Sequence, residues 1–250
     1  MLGPLRGALG PLGVSLGAAA GNGLLTGLVA YWALDEAGGA NDALDKHGGL
    51  TLTQVSSPGS AAGKVYAGAR TFDGAADYFT RASEAALQTG DVDWAIAAWI
   101  YPTADGDDSI FGKEADSAAG NREYRLVRDA DRTCSLLGFQ ASGGLAFVAG
   151  STDVAATNSW SLVIGYYSAA SRRASISINY GAEISAARSA APATSSAPCT
   201  IGSARASSGP LLFTGRIGPV AFWKNRTLDA AARAALWNGG AGLAYSAFTA

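Results

Sequence analysis

Beyond Leu28 the chain repeatedly alternates apolar and polar residues with period two, the spacing that sends successive side chains to opposite faces of a strand. In Ala174-Ser175-Ile176-Ser177-Ile178-Asn179-Tyr180, Ala174, Ile176, Ile178 and Tyr180 are predicted inward and Ser175, Ser177 and Asn179 outward, with Gly181 as the turn. This is the pattern of a half-exposed antiparallel strand. In the run from Trp94 to Tyr101 both sets are apolar: Trp94, Ile96, Ala98 and Ile100 on one face, Ala95, Ala97, Trp99 and Tyr101 on the other. Such a strand is expected to be covered on both sides. Further strands are predicted over 28–34, 50–55, 66–72, 77–81, 109–113, 122–129, 134–140, 145–149, 160–167, 198–203 and 212–224, separated by Gly, Ser, Asp and Asn clusters. Many short strands with turn signals and hardly any helix imply a sandwich or barrel. One short helix is predicted, with Thr227 as N-cap, a stripe of Leu228, Ala232, Ala235 and Leu236, and Gly239-Gly240 as its stop.

Residues 1–27 follow another pattern. Leu-Gly recurs at Leu2-Gly3, Leu9-Gly10 and Leu16-Gly17, and the first two copies extend to Leu-Gly-Pro-Leu, a seven-residue period. Pro4, Pro11 and the glycines break any helix, so this is no coiled coil. A signal peptide could use Arg6 and the Ala18-Ala19-Ala20 run, but Gly and Pro interrupt the apolar stretch such a peptide needs. The expectation is an extended arm (1–27) before one domain (28–250), with Leu2, Leu5, Leu9, Leu12 and Leu16 as candidate assembly contacts on neighbouring subunits or other copies of the chain.

Composition narrows the function classes. The 250 residues include 33 glycines and 15 % charged residues, below the roughly 25 % usual for soluble domains. The glycines follow no three-residue period and the 6 Trp, 9 Tyr and 8 Phe can build a core, which excludes collagen and disorder. A formal net charge of −2 with no basic block argues against nucleic acid. No apolar run is long enough to span a membrane. Cys134 and Cys199 are too few for a disulfide framework or a tetrahedral metal site; they are buried free thiols or one bridge between strands.

Seven segments then make a family recognisable by their order: Leu28-Val29-Ala30-Tyr31-Trp32-Ala33-Leu34-Asp35-Glu36; Ala69-Arg70-Thr71-Phe72-Asp73-Gly74 with Asp77-Tyr78; Ala98-Trp99-Ile100-Tyr101-Pro102; Ser159-Trp160-Ser161-Leu162-Val163; Thr214-Gly215-Arg216-Ile217; Ala221-Phe222-Trp223; and Leu236-Trp237-Asn238-Gly239-Gly240. This series, over about 28–245, resembles the laminin-G-like domain of the concanavalin A-like lectin/glucanase superfamily. The resemblance implies an all-β fold: a two-sheet antiparallel jelly-roll sandwich with one short C-terminal helix, here preceded by the extended N-terminal arm. Where relatives commonly read Arg-Ile-Asp-Glu-Val, this chain reads Arg216-Ile217-Gly218-Pro219-Val220 and so lacks two acids.

The fold hosts lectins, hydrolases, adhesion modules and capsid or tail proteins, so the chemistry must be read from the residues. The glucanases of this superfamily carry Glu-x-Asp-x-Glu on a strand, all three acids on one face. Glu114-Ala115-Asp116 approaches that pattern, but position 118 is Ala118. The single histidine, His47, sits in a turn and no Gly-x-Ser-x-Gly elbow exists to partner it, so no catalytic residues and no enzyme activity are expected. Relatives often hold Ca²⁺ in loops; Asp105, Asp107 and Asp108 crowd one loop, and Asp73 and Asp77 flank a Gly turn, but turn capping explains such residues without metal, and no cofactor is expected. Sugar binding needs an exposed aromatic and a few polar groups, whereas Trp32, Trp94, Trp99, Trp160 and Trp223 all lie in strand patterns and are expected in the core. Any ligand is expected at the loops 103–109, 116–122, 151–158 and 168–173. The favoured expectation is a non-enzymatic phage structural protein, decorating a capsid or associated with head or tail, anchored to virion subunits by its arm and located on the virion surface. The alternative is a secreted or cell-surface carbohydrate-binding module that meets a cell-surface glycan.

Overall fold

The computed structural model describes residues 21–204 and 210–250. The five candidate arm contacts, Leu2, Leu5, Leu9, Leu12 and Leu16, lie outside the described residues. In chain order the strands are β1 (Leu28–Trp32), β2 (Thr53–Val55), β3 (Gly59–Ala62), β4 (Gly68–Asp73), β5 (Tyr78–Arg81), β6 (Trp94–Pro102), β7 (Asp108–Glu114), β8 (Arg122–Arg128) and β9 (Cys134–Phe139). There follow β10 (Leu145–Gly150), β11 (Ser161–Ser168), β12 (Arg173–Ile178), β13 (Ile184–Ala187), β14 (Cys199–Ile201), β15 (Ser203–Ala204), β16 (Leu211–Leu212) and β17 (Thr214–Lys224), then helix α1 (Ala230–Trp237).

Two antiparallel sheets pack face to face, as the jelly-roll expectation required. One runs β13-β12-β11-β6-β17-β4-β3 with β1 also on β17; the other runs β10-β9-β8-β7-β14-β5-β2. Between them lie Trp94, Ile96, Ala98 and Ile100 of β6 against Phe111, Tyr124, Leu126 and Leu136 of the facing sheet. The second apolar face of β6 is buried as well. Ala95, Ala97 and Trp99 form a separate core with Leu24, Leu162, Ile164, Trp223, Leu228, Ala232, Leu236 and Phe248. The C-terminal segment therefore covers the outer face of the larger sheet, which is why both sides of β6 are apolar.

Residues 21–27 also pack on this cover. The Trp223 indole donates to the Leu24 carbonyl (2.8 Å), and the Asn22 side-chain amide donates to Ala247 O (2.8 Å). Cys134 and Cys199 are buried free thiols, and burial pushes the Cys199 thiol up to about 12.

Several boundaries differ from the sequence pattern. Asp229, not Thr227, caps α1: its carboxylate accepts the Ala232 N–H (2.8 Å), so the helix starts two residues later than predicted and Leu228 is buried before it. The predicted strand 198–203 is broken at Gly202 (φ +81). Strands β3 and β13 escaped the pattern because Gly-Ser-Ala-Ala and Ile-Ser-Ala-Ala carry little apolar alternation. β12 ends at Ile178, and Tyr180, expected inward, is 44 % exposed in the following turn. Its outward serines are buried, with Ser175 Oγ 2.6 Å from Ser185 Oγ on β13.

Candidate functional site

The outer face of the larger sheet is not covered along its whole length. Register places Arg216 of β17 opposite Tyr101 of β6, and Ser161 opposite Ile100, so Trp160 arrives beside Tyr101 at the rim. The Tyr101 and Trp160 rings lie 5.5 Å apart, tilted at 57°. The Arg216 guanidinium sits 4.7 Å from the Tyr101 ring centre, its Nη1 donating to Ala62 O (3.2 Å). Lys64 lies beside this strip, 5.6 Å from the Trp99 ring. Tyr101, Trp160 and Arg216 are half-buried and Lys64 is exposed, and neither cation has a carboxylate within ion-pair distance among the described residues. Trp160 thus departs from the core expectation that Trp32, Trp94, Trp99 and Trp223 meet. It precedes β11, at the Tyr101 end of β6, and packs only in part against the core under the C-terminal segment.

The departure at Gly218-Pro219 acquires a local meaning here. The pairing of β17 with β6 shifts between Ile217 and Val220, a bulge that contains both residues. A Cβ at Gly218 would stand 3.4 Å from the Trp160 ring and 3.5 Å from Trp99 Cβ, ordinary contact distances, so the bulge lies against both tryptophans. Pro219 turns toward a small apolar cleft with Tyr31, Trp99, Leu162 and Leu243 under the C-terminal segment.

Of the four loops expected to carry a ligand, two meet at this rim. Arg128, fully buried, donates to Asp105 Oδ1 (2.8 Å) and Thr157 Oγ1 (2.9 Å), tying 103–109 to 151–158. The loop at 116–122 instead meets the 140–144 turn, with Arg122 donating to Gly143 O (3.2 Å). The 168–173 turn follows the far end of β11, where Tyr167 stands opposite Trp94.

The loop acids weighed for calcium are engaged by protein donors, and Asp105 and Asp108 share Arg128. Asp105 bridges Arg132 (2.7 Å) and Arg128 (2.8 Å), and the hydrogen bond from Arg132, with others from Thr157 and Arg128, holds its carboxyl well below the usual carboxylate range. Asp107 accepts the Ala130 N–H (3.0 Å). Asp108 accepts the Thr214 N–H (3.3 Å), and burial pushes its carboxyl up to about 6 despite Arg128 at 3.5 Å. Asp73 Oδ1 accepts the N–H groups of Ala75 and Ala76 in a turn. Among the described residues no three His, Cys, Asp or Glu side chains gather as a metal site.

Two other acids are internal. Glu114 pairs with Arg122 (2.9 Å) and Arg125 (2.7 Å), and Glu123 pairs with Lys113 (3.1 Å) while accepting the N–H groups of Thr89 and Ser195. Both carboxylates are buried; Glu114 ties β7 to β8, and Glu123 holds the loops at Thr89 and Ser195 to the smaller sheet. His47 is exposed, its Nδ1 3.0 Å from the Tyr245 hydroxyl.

Comparison with known proteins gives a family and several solved structures. The family model Laminin_G_3, described as concanavalin A-like lectin/glucanases superfamily, matches residues 72–232. The binding domain of Paraclostridial Mosquitocidal Protein 1 superposes with a TM-score of 0.66 at 11 % identity over 86 % of this chain and 52 % of that one. A mutant of Trypanosoma rangeli sialidase displaying trans-sialidase activity gives 0.61 at 13 % identity, covering 88 % of this chain and 34 % of that one. Domain 4 of AbnA, a GH43 extracellular arabinanase from Geobacillus stearothermophilus solved with arabinotriose, gives 0.56 at 13 % identity over 82 % of this chain and 97 % of that one. The chain thus spans about half the mosquitocidal binding domain and a third of the sialidase. A search of curated proteins gives no match.

Proposed function

Because the chain belongs to the concanavalin A-like lectin/glucanase superfamily, we propose that this lectin-like jelly roll works as a non-catalytic carbohydrate-binding module, with the Tyr101–Trp160 strip as its site. The observation that carries the proposal is the pair of half-exposed rings, with the Arg216 guanidinium on one of them, at the Tyr101 end of a sheet face whose middle is buried under the C-terminal segment. Aromatic faces stack on the apolar faces of sugars, and the Arg216 guanidinium fixed on Tyr101 supplies directional donors beside them. That domain 4 of the arabinanase was solved with arabinotriose is consistent with saccharide binding on this architecture. A catalytic role finds less support: Glu114 and Glu123 are committed to buried ion pairs, and the sequence lacks the spaced acids a retaining glycosidase uses.

The test is retardation of the chain in native gels cast with soluble arabinan, galactan and mixed-linkage β-glucan, with reducing ends assayed in parallel. Retardation by at least one polymer, lost in Trp160→Ala and without release of reducing ends, is expected. No retardation by any of them, or retardation that persists in the variant, overturns the proposal.

The Leu-Gly-Pro period of the arm favours a compatible second reading, in which the module is a phage decoration or head/tail-associated subunit held to its neighbours by residues 1–20. Gly21 lies against Thr249 and Ala250 in the C-terminal cover, while the strip lies at the Tyr101 end of β6. Deleting residues 1–20 should leave a folded domain but abolish incorporation into the parent particle; full incorporation without the arm would contradict it.

A further inference from the structure

We infer that the ligand of this strip is an acidic saccharide, one carrying carboxylate or sulfate groups; the inference rests on the binding-module reading above. The strip is one row of side chains on the outer face of the larger sheet. Ile100 of β6 and Ile217 of β17 belong to the core between the sheets, so their neighbours Tyr101 and Arg216 face outward. Arg216 stands opposite Tyr101 on one side and Thr71 of β4 on the other, and Thr71 stands opposite Gly59 of β3. With Trp160 against Tyr101, the row reads Trp160, Tyr101, Arg216, Thr71. Thr71 is half-buried, and a side chain at residue 59 would strike its hydroxyl, so Gly59 gives that hydroxyl room.

The fold leaves the positive charges along this row unanswered. Half-buried arginines elsewhere have carboxylates: Arg81 with Glu84 (3.0 Å), Arg188 with Asp91 (2.5 Å) and Arg233 with Glu183 (2.7 Å). Half-buried Arg226 has instead the carbonyls of Gly23 and Thr26. Arg216 makes one hydrogen bond with the described residues, from Nη1 to Ala62 O, while its guanidinium rests on the Tyr101 ring. Its other N–H donors form a planar fork of the kind that matches a carboxylate or a sulfate. Lys64 follows Ala62 by two residues in the β3–β4 turn, and its ammonium, over the Trp99 ring, has no carboxylate partner among the described residues. Trp99 and Tyr101 are two residues apart on β6, ~7 Å along the strand, so the two cations flank one short stretch of the strip. Asp73, two residues beyond Thr71, is drawn into its own turn, where Oδ1 accepts the N–H groups of Ala75, Ala76 and Asp77. The whole chain carries a formal net charge of −2, so this positive stretch is a local feature. A neutral sugar stacked on Trp160 leaves both charges without a partner; an acidic sugar uses the ring and the charges together.

The test is isothermal titration of the full chain with arabinan, galactan and mixed-linkage β-glucan, each in native, carboxymethylated and sulfated form. An exposed ion pair contributes a few-fold in affinity, so two should favour an acidic form over its native parent by about tenfold. A gain confined to the carboxymethylated form identifies uronates as the ligand class, and one confined to the sulfated form identifies sulfate esters. Lys64→Gln and Arg216→Gln should each lower the acidic-to-native ratio by about threefold, and Lys64 is exposed, so its replacement removes charge without disturbing packing. Arg172→Gln, which removes an exposed cation from the far 168–173 turn, should keep the ratio. A ratio near one in wild type, a ratio unchanged in both strip variants, or an equal reduction in Arg172→Gln overturns the inference. If no native polymer binds, or if Trp160→Ala binds as wild type does, the binding-module reading itself fails.

Discussion

Trp99 and Tyr101 sit two residues apart on one strand and point to the same face, yet one is core and the other belongs to the proposed site. Trp99 is 4 % exposed, its indole stacked at 5.6 Å on Trp237 of α1, whereas Tyr101 is half-buried and meets only the edge residues Trp160 and Arg216 in ring contacts. The strands do not make this difference; the segment laid over them does. Alternation fixes which face a residue occupies, and a distant part of the chain, here 228–248, decides whether that face is solvent, core or binding surface.

The largest expected effect comes from breaking the covered half. Trp223 is fully buried under the C-terminal segment and donates to Leu24 O, so Trp223→Ala should lower unfolding free energy by about 3–5 kcal/mol. Denaturant titration of the same truncation at the uncovered end, Trp160→Ala, should show a loss of about 1 kcal/mol or less, together with loss of polysaccharide retardation. Equal losses at the two tryptophans would remove the distinction between cover and site.

A smaller effect separates the rim's ionic framework from its rings. The Asp108 carboxyl is raised to about 6, above its unfolded value near 4. The folded state therefore holds the extra proton between these values, and the Asp108 contribution to stability falls as pH rises from about 4 to about 6. Asp108→Asn keeps an acceptor for Thr214 N–H and should flatten that decline, which melting curves across this range will read. Asp105 has the opposite sign, since its lowered carboxyl contributes stability that is lost in acid. Because the Tyr101–Trp160 strip with Arg216 and Lys64 contains no carboxylate or histidine, saccharide affinity should change little over the same interval.

Much of the fold was legible in the sequence because β6, β11 and β17 carry dense apolar alternation that nothing but a two-sided sheet would need. β3 and β13 were silent, being small residues that sheet pairing recruits without a hydrophobic signal. The site was only half legible. Two of the expected loops, 103–109 and 151–158, do meet at the rim through Arg128, but the strip belongs to strand ends that looked like core. Trp160 reads as a strand residue in sequence; its partial exposure follows from how far the distant C-terminal segment packs over it, which no local pattern records. Tyr180 continues a clean alternation, and its turn becomes visible only when the Asn179 side chain caps Leu162. Gly218-Pro219, where the resemblance lacks two acids, lies in the β17 bulge beside this strip.

The most direct test of the central claim is to follow the six indole N–H resonances of ¹⁵N-labelled protein while titrating the polysaccharide that retards it. The account predicts that the Trp160 indole shifts most, that Trp99, stacked under α1, shifts less, and that Trp32, Trp94 and Trp223 do not move. A titration in which binding is evident but the Trp160 signal stays fixed would contradict it.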